Sequence, residues 1–303
     1  MADYGQDILF GSFITPVNAN PQHAVNMAVA SENAGLDLAT FQDHPYQPSF
    51  LDTWTLLSYV AAQTSRIKLS GNVINLPLRP APVLARAAAS LDLLSGGRFE
   101  LGLGAGGFWD PIVAMGGKRL TPGQSVEALS EGIDVIRELW NTDTRERLVF
   151  DGEHYQLNGA KRGPAPAHKV EIWVGALKPR MLRLVGHKAD GWLPSLGYLS
   201  SHEELRGMSE IIDAAAIKSG RDPKDVRRMT NVGGQFLNER TDKFLQGNKE
   251  QWAEELALLT REYGTSTFII SADQAELVEY FGTEIAPAVR ERVASDRRDR
   301  SVL

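Results

Sequence analysis

Cysteine is absent from the 303 residues. Its absence excludes a disulfide framework, a thiolate metal centre and a cysteine nucleophile, and it agrees with a reducing compartment. Long apolar runs are missing too: none approaches the ~20 residues needed to span a bilayer. The first residues, Met1-Ala2-Asp3-Tyr4, lack the basic and apolar regions of a secretory leader. A cytoplasmic protein is the expectation. Positive charge is not in excess either, with 32 Lys and Arg against 38 Asp and Glu and a formal net charge of −6. Neither nucleic acid nor an anionic membrane is therefore an expected partner. The histidines other than His44, namely His23, His154, His168, His187 and His202, show no H-x-H or H-E-x-x-H spacing, so no metal is expected. No internal repeat of fixed period is visible.

What the chain does contain is a regular alternation. Short β-branched or apolar runs occupy 8–14, 38–41, 67–73, 99–103, 172–174, 191–193, 229–236 and 267–270. Between them lie amphipathic stretches of helical length at 22–34, 52–62, 82–94, 123–140, 179–188, 201–219, 249–263 and 274–294. Parallel strands need crossovers, and helices are the usual ones. The reading is an α/β chain forming a single (β/α)8 TIM barrel over residues 1–303. Residues 141–169 break the rhythm as a charged insertion after the fourth strand and helix, with a strand-like piece at 147–157 and the loop Gly163-Pro164-Ala165-Pro166. Residues 295–303 are charged and read as a flexible tail.

Active sites of such barrels lie just beyond the C-terminal ends of the strands. After the second run stand Asp43 and His44, an acid beside the one side chain whose ordinary pKa suits proton transfer near neutrality. A histidine capping a loop is the plainer alternative, and the strand-end position favours the functional one. After the third run, Asn72, Val73 and Asn75 offer amides and exposed main chain to a heterocycle, although the same residues fit a simple turn. After the fourth run, Gly102-Leu103-Gly104-Ala105-Gly106-Gly107 formally satisfies G-x-G-x-x-G. That fingerprint should open a helix in a first βαβ unit, and here Phe108-Trp109-Asp110-Pro111 follows at the fourth. The glycines read instead as room for a flat ligand against Gly104, Ala105 and Gly106. After the fifth run come Gly175, Ala176, Leu177, Lys178, Pro179 and Arg180. Proline suits a first helical turn, and the free N–H groups there, with two cations, make either a phosphate site or a solvated basic loop. Ser195 closes the same side with a hydroxyl. Arg98 and Glu100 read as an ion pair at the barrel bottom, Asp190 as structural, and Trp54, Trp140 and Trp252 as packing residues. Phe10-Gly11-Ser12-Phe13 on the first strand offers no H-x-H pair to a metal hydrolase.

The stretch from Leu84 through Arg98-Phe99-Glu100-Leu101-Gly102-Leu103-Gly104-Ala105-Gly106 resembles the signature of the bacterial luciferase-like monooxygenase family, which includes reductases and dehydrogenases dependent on the deazaflavin coenzyme F420. With Asp43-His44, Gly175-Ala176 and Ala189-Asp190-Gly191-Trp192 the resemblance covers nearly the whole chain. It implies a barrel with an insertion after the fourth strand, a homodimer, and F420 or FMN as cofactor, F420 slightly favoured. It implies His44 beside the reactive ring carbon, a non-prolyl cis peptide at Asn72-Val73, backbone phosphate donors at Gly175 and Ala176, and a phosphate-binding hydroxyl at Ser195. Two departures stand out. Gly107-Phe108-Trp109 replaces a glutamate acid of some F420-dependent dehydrogenases, which argues against a sugar-phosphate substrate. Tyr198 stands near the place of a phosphate-binding lysine, a role left to Lys178 and Arg180.

The function expected is an oxidoreductase moving a hydride between F420, or FMN, and a small organic substrate. His44 is the proton carrier, Asp43 its companion, and Trp109 a wall of the pocket. An FMN monooxygenase activating oxygen and a non-catalytic flavin-binding protein are the rivals.

Overall fold

The computed structural model describes residues 3–301, with side chains through residue 299. In chain order the elements are β1 (Leu9–Ile14), α1 (Pro21–Asn33), β2 (Leu38–Phe41), α2 (Thr53–Gln63), β3 (Lys68–Gly71), β4 (Ile74–Asn75), α3 (Ala81–Ser95), β5 (Leu101–Gly104), α4 (Trp109–Ala114) and α5 (Pro122–Trp140). There follow β6 (Leu148–Asp151), β7 (Gln156–Ala160), β8 (Ile172–Val174), α6 (Pro179–Lys188), β9 (Gly191–Trp192), α7 (Glu204–Lys218) and β10 (Arg227–Val232). The remainder is β11 (Gln235–Phe236), β12 (Gln246–Gly247), α8 (Lys249–Tyr263), β13 (Thr265–Ser271), α9 (Ala275–Tyr280) and α10 (Ala286–Ser301).

Nine strands run in the order β3-β2-β1-β13-β10-β9-β8-β5-β4, all parallel neighbours. The gap closes where Leu69 bonds both sides of Phe99: its N–H reaches the Arg98 carbonyl at 2.8 Å and its carbonyl accepts from Glu100 at 3.0 Å. Strands β3 and β4 are two halves of one stave, interrupted at Asn72-Val73, so the nine strands make an eight-stave barrel. Leu38, Trp173, Leu193, Met229 and Ile269 fill its interior, with Phe13 and Val73 packed on them. Glycine makes this filling possible, since a Cβ at Gly191 would lie 2.5 Å from Trp173 and one at Gly11 would lie 2.8 Å from Leu38. The larger apolar layer lies outside, between strands and helices.

Local signals set the helix ends. Thr121 and Gln124 form a reciprocal capping box ahead of Pro122 at the start of α5. Gly96 and Gly264 end α3 and α8 in the left-handed region, at φ 72° and 74°. The insertion is a two-stranded antiparallel hairpin of β6 and β7, with its turn in the middle of the stretch read as one strand. The run at 229–236 likewise ends early, at Val232, because Gly233 and Gly234 break it. The supposed tail is a correction. Residues 295–301 continue α10, where Arg297 forks onto Asp3 through two 2.9 Å bonds and Asp296 accepts from Arg261 at 3.0 Å. Ion pairs to distant parts of the chain, invisible in local composition, hold that segment. Val302 and Leu303 lie outside the described residues. Arg98 and Glu100 are not partners either. Arg98 donates to carbonyls of Ala61, Thr64, Ile67 and Ser95, while Glu100 takes Lys68 at 2.6 Å and His168 at 3.2 Å. Among the described residues no helix is long and apolar enough to cross a membrane.

Candidate active site

The loop after β2 is held by a buried ion pair. Asp43, its side chain 1% exposed, takes Arg79 in a two-pronged contact at 2.8 and 2.9 Å and also accepts the Asn75 N–H at 2.9 Å. Arg79 reaches on to Asp52, the N-cap of α2, at 2.6 Å. Asp43 is thus an anchor that ties the loops after β2 and β4 together, with both oxygens committed, and not a free proton carrier. Arg79 was not singled out in the sequence. Its only signal is an arginine at the mouth end of the third unit, and its partners lie 27 and 36 positions away.

His44, next in the chain, is half-buried within aromatic rings: Tyr46 at 5.4 Å, Phe108 edge-on at 5.7 Å and Phe50 at 6.2 Å. Its Nδ1 lies 2.7 Å from the Tyr46 hydroxyl. Burial lowers the imidazole pKa below its ordinary value, with Asp43 pulling the other way, so the ring is neutral near pH 7. Burial, assisted by Asp43, raises that of Tyr46, which keeps its phenolic proton. Only Nε2 of His44 is left without a protein partner among the described residues. The ring against His44 is Phe108, 58% exposed at the rim. Trp109, the wall proposed from sequence, sits instead over the glycine loop, its Cη2 3.3 Å from where a Cβ on Gly106 would be.

The third stave is interrupted between β3 and β4, where Val73 packs on the interior cluster. The Asn72-Val73 peptide is cis, and the Asn72 amide donates to Asn231 Oδ1 at 2.7 Å and to Thr40 at 3.2 Å. Asn231, on β10, donates onward to Ser195 Oγ at 2.8 Å and to Asn72 Oδ1 at 3.2 Å. Ser195, Asn72 and Asn231, from three loops or strands far apart in sequence, thus form one polar chain. Asn231 was missed because it lies inside a strand run and carries no local motif. At the end of β4, Asn75 is buried and its Oδ1 has no partner.

The glycines of β5 and the turn after it have a different reason from the one the sequence suggested. A Cβ on Gly102 would stand 2.1 Å from the Gly71 carbonyl, on Gly104 2.7 Å from Val73, and on Gly106 2.8 Å from Pro77. These glycines admit the chain's own third stave and the turn after it, while Ala105 packs against the core and a Cβ on Gly107 would meet nothing within 4 Å. At the fifth strand, the Gly175 N–H is spent on the Leu103 carbonyl at 3.2 Å, which removes it as a phosphate donor. Ala176 is buried and its carbonyl accepts from Trp192 at 2.8 Å. Leu177 and Lys178 keep free N–H groups ahead of α6, which has no side-chain cap. Lys178 is exposed, and Arg180 is already paired with Glu127 at 2.5 Å. Asp190 is structural as expected, taking Arg137 at 2.7 Å and the Ile172 N–H at 2.9 Å.

Fold and mouth together define a parallel eight-stave barrel with a neutral histidine, an amide chain and an uncapped helix start gathered at the C-terminal strand ends. A luciferase-like monooxygenase family model matches residues 8–233. The chain belongs to that family. A protein of Nocardia farcinica named F420-dependent glucose-6-phosphate dehydrogenase is 31% identical over 237 residues, covering 75% of this chain and 68% of its own length. In others of the same name the match spans 54% to 66% of their length. Two solved structures share the fold. An F420-dependent secondary alcohol dehydrogenase with an F420-acetone adduct superposes with TM-score 0.78 at 17% identity, over 94% of this chain and 99% of that one. A type II Baeyer-Villiger monooxygenase of Pseudomonas putida in complex with FMN does so with TM-score 0.75 at 17% identity, over 93% and 99%.

Proposed function

We propose that the chain is an oxidoreductase that holds F420 at the barrel mouth, with FMN the second candidate, and moves a hydride between that ring and a small organic substrate. One observation carries the reading: His44 presents a single unengaged nitrogen, on a ring kept neutral by burial, at the rim between the loops after β2 and β5. The residues present fit such a cofactor. Asn75 Oδ1 is a buried acceptor without a partner, suited to a ring N–H. The uncapped start of α6, with Lys178 beside it, suits a phosphate. The bound ring supplies the hydride chemistry itself.

The chain's own residues do the rest. Arg79 and Asp43 set the loop that carries His44, and Tyr46 holds its Nδ1, so the proton to be given or taken stands at Nε2. Phe50 and Phe108 pack against the His44 ring. The aromatic rim, with Phe108 and Tyr198 where the resemblance implies a glutamate and a lysine, favours a substrate less polar than a sugar phosphate.

Spectral titration with F420 and with FMN tests the cofactor. His44→Ala should slow single-turnover hydride transfer by about 10²–10⁴-fold while cofactor affinity stays within a few-fold, and unchanged turnover rejects the assignment. Oxygen uptake coupled to product marks the FMN monooxygenase, and retained cofactor without turnover on any substrate marks the binding protein. We also infer a homodimer, supported by the row Val83, Ala87, Ser90 and Leu94 on the outer face of α3, where Val83 is 68% and Leu94 87% exposed. Light scattering on the eluting peak checks it: a monomer at micromolar concentration overturns it.

A further inference from the structure

The insertion hairpin carries a group that the barrel mouth does not use. Its turn reads Gly152-Glu153-His154-Tyr155, and the carboxylate of Glu131 on α5 accepts the N–H groups of Glu153, His154 and Tyr155 at 3.0, 2.9 and 3.0 Å. A Cβ at Gly152 would lie 2.3 Å from that carboxylate, so glycine is what admits it. The turn is thereby pinned to the helix, and with it the imidazole of His154, whose side chain is 9% exposed. Its Nε2 is buried and has no hydrogen-bond partner. The nearest acid, Glu127 Oε2 on the same helix, is 4.0 Å away, beyond hydrogen-bond reach. One ring nitrogen of His154 and one carboxylate oxygen from each of Glu127 and Glu153 all lie within 4.8 Å of one another.

A buried polar nitrogen left alone is costly, and two carboxylates converging on it add an electrostatic reason for something cationic between them. We propose that Glu127, Glu153 and His154 form a site for a zinc-type divalent cation, with solvent completing four-coordination. An imidazole ligand favours zinc and its transition-metal neighbours over magnesium or calcium, which prefer oxygen alone. Zinc bonds of roughly 2.0–2.2 Å put tetrahedral ligand atoms about 3.4 Å apart. The separations must therefore close by up to about 1.4 Å, and the 4.0 Å one between His154 and Glu127 by about 0.6 Å, movements within the side-chain rotation of Glu153 and Glu127. Arg180 occupies the other oxygen of Glu127, orienting it while leaving Oε2 free. Arg180 is the one cation shown paired within this group, against the three carboxylates of Glu127, Glu131 and Glu153, so the cluster remains net negative. A bound cation would clip the insertion hairpin to α5. The two sets of residues lie on different elements from His44, so the site stands or falls apart from the redox reading.

The test is calorimetric titration of the chelator-treated full chain with zinc chloride, followed by cobalt(II) for its visible bands. The expected result is one ion per chain, four-coordinate cobalt bands, and a Tm raised by about 2 °C at tenfold excess over Kd. His154→Ala and Glu153→Gln should each weaken binding at least ~10-fold, whereas His187→Ala leaves it unchanged. Glu153 is exposed, so its variant folds even if His154→Ala does not. Absence of one-to-one binding, or wild-type affinity in Glu153→Gln or in a folded His154→Ala, overturns the proposal.

Discussion

Replacing Arg79 by methionine probes what holds the histidine-bearing loop in place. The guanidinium occupies both oxygens of Asp43, whose side chain is 1% exposed, and is itself only 17% exposed. Without it Asp43 keeps the Asn75 N–H alone. Removing one member of a buried pair costs about 3–5 kcal/mol, because the remaining charge is neither paired nor hydrated. For a chain of this length that corresponds to a Tm lower by roughly 5–15 °C. Asp43→Asn alone should cost less, about 1–3 kcal/mol, since Arg79 retains Asp52 at 2.6 Å. The double variant removes both charges, so its cost should fall short of the sum by at least ~1.5 kcal/mol. Urea unfolding of the four proteins measures this. If Arg79→Met lies within about 1 kcal/mol of the parent, or the two effects simply add, the clamp is not what positions His44.

Other expectations concern the same mouth. Because the His44 pKa lies below the ordinary 6.5, the neutral ring dominates above that value. The acid limb of kcat/KM should therefore fall below pH 6.5 and vanish in His44→Gln. For stability the sign is the same: the unfolded chain takes that proton first, so the contribution of His44 is intact above 6.5 and is lost as pH drops through its lower folded value. Gly102→Ala drives a methyl into the Gly71 carbonyl, whereas Gly107 has nothing within 4 Å. Thermal melts should show the first losing at least ~1–3 kcal/mol and the second within about 0.5 kcal/mol of the parent. Asn231→Leu severs the link between Asn72 and Ser195 and should weaken cofactor binding more than it lowers Tm. Equal losses in both would assign it to packing alone. Phe108→Ala uncovers His44 and should raise KM in steady-state assays while Tm holds, since the ring is largely exposed.

Much of the barrel could be read from the chain. The eight units follow from period-2 and period-3.6 patterning, and α6 (Pro179–Lys188) and α8 (Lys249–Tyr263) fall where the helical pattern put them. Strand ends drifted where pairing decides them: β10 starts at Arg227, two residues before its apolar run, because Arg227 and Arg228 pair with Gly191 and Trp192. The site was partly legible as well. His44, Asn72, Asn75 and Ser195 stand at strand ends as expected of a barrel. Arg79, Asn231 and Phe108 were hidden because their roles exist only through partners far along the chain.

Composition and periodicity by themselves determined the α/β alternation, the place of the insertion and the short loops that had to hold any chemistry, since burying apolar faces at those two periods leaves few alternatives. Only the tertiary structure decided which polar groups spend their bonds on each other. It committed Asp43 to Arg79 and Gly175 to Leu103, turned Gly104 toward Val73, and left Nε2 of His44 and Nε2 of His154 without partners. Hydrogen bonds and desolvation depend on distances between residues tens of positions apart, and no local pattern encodes them.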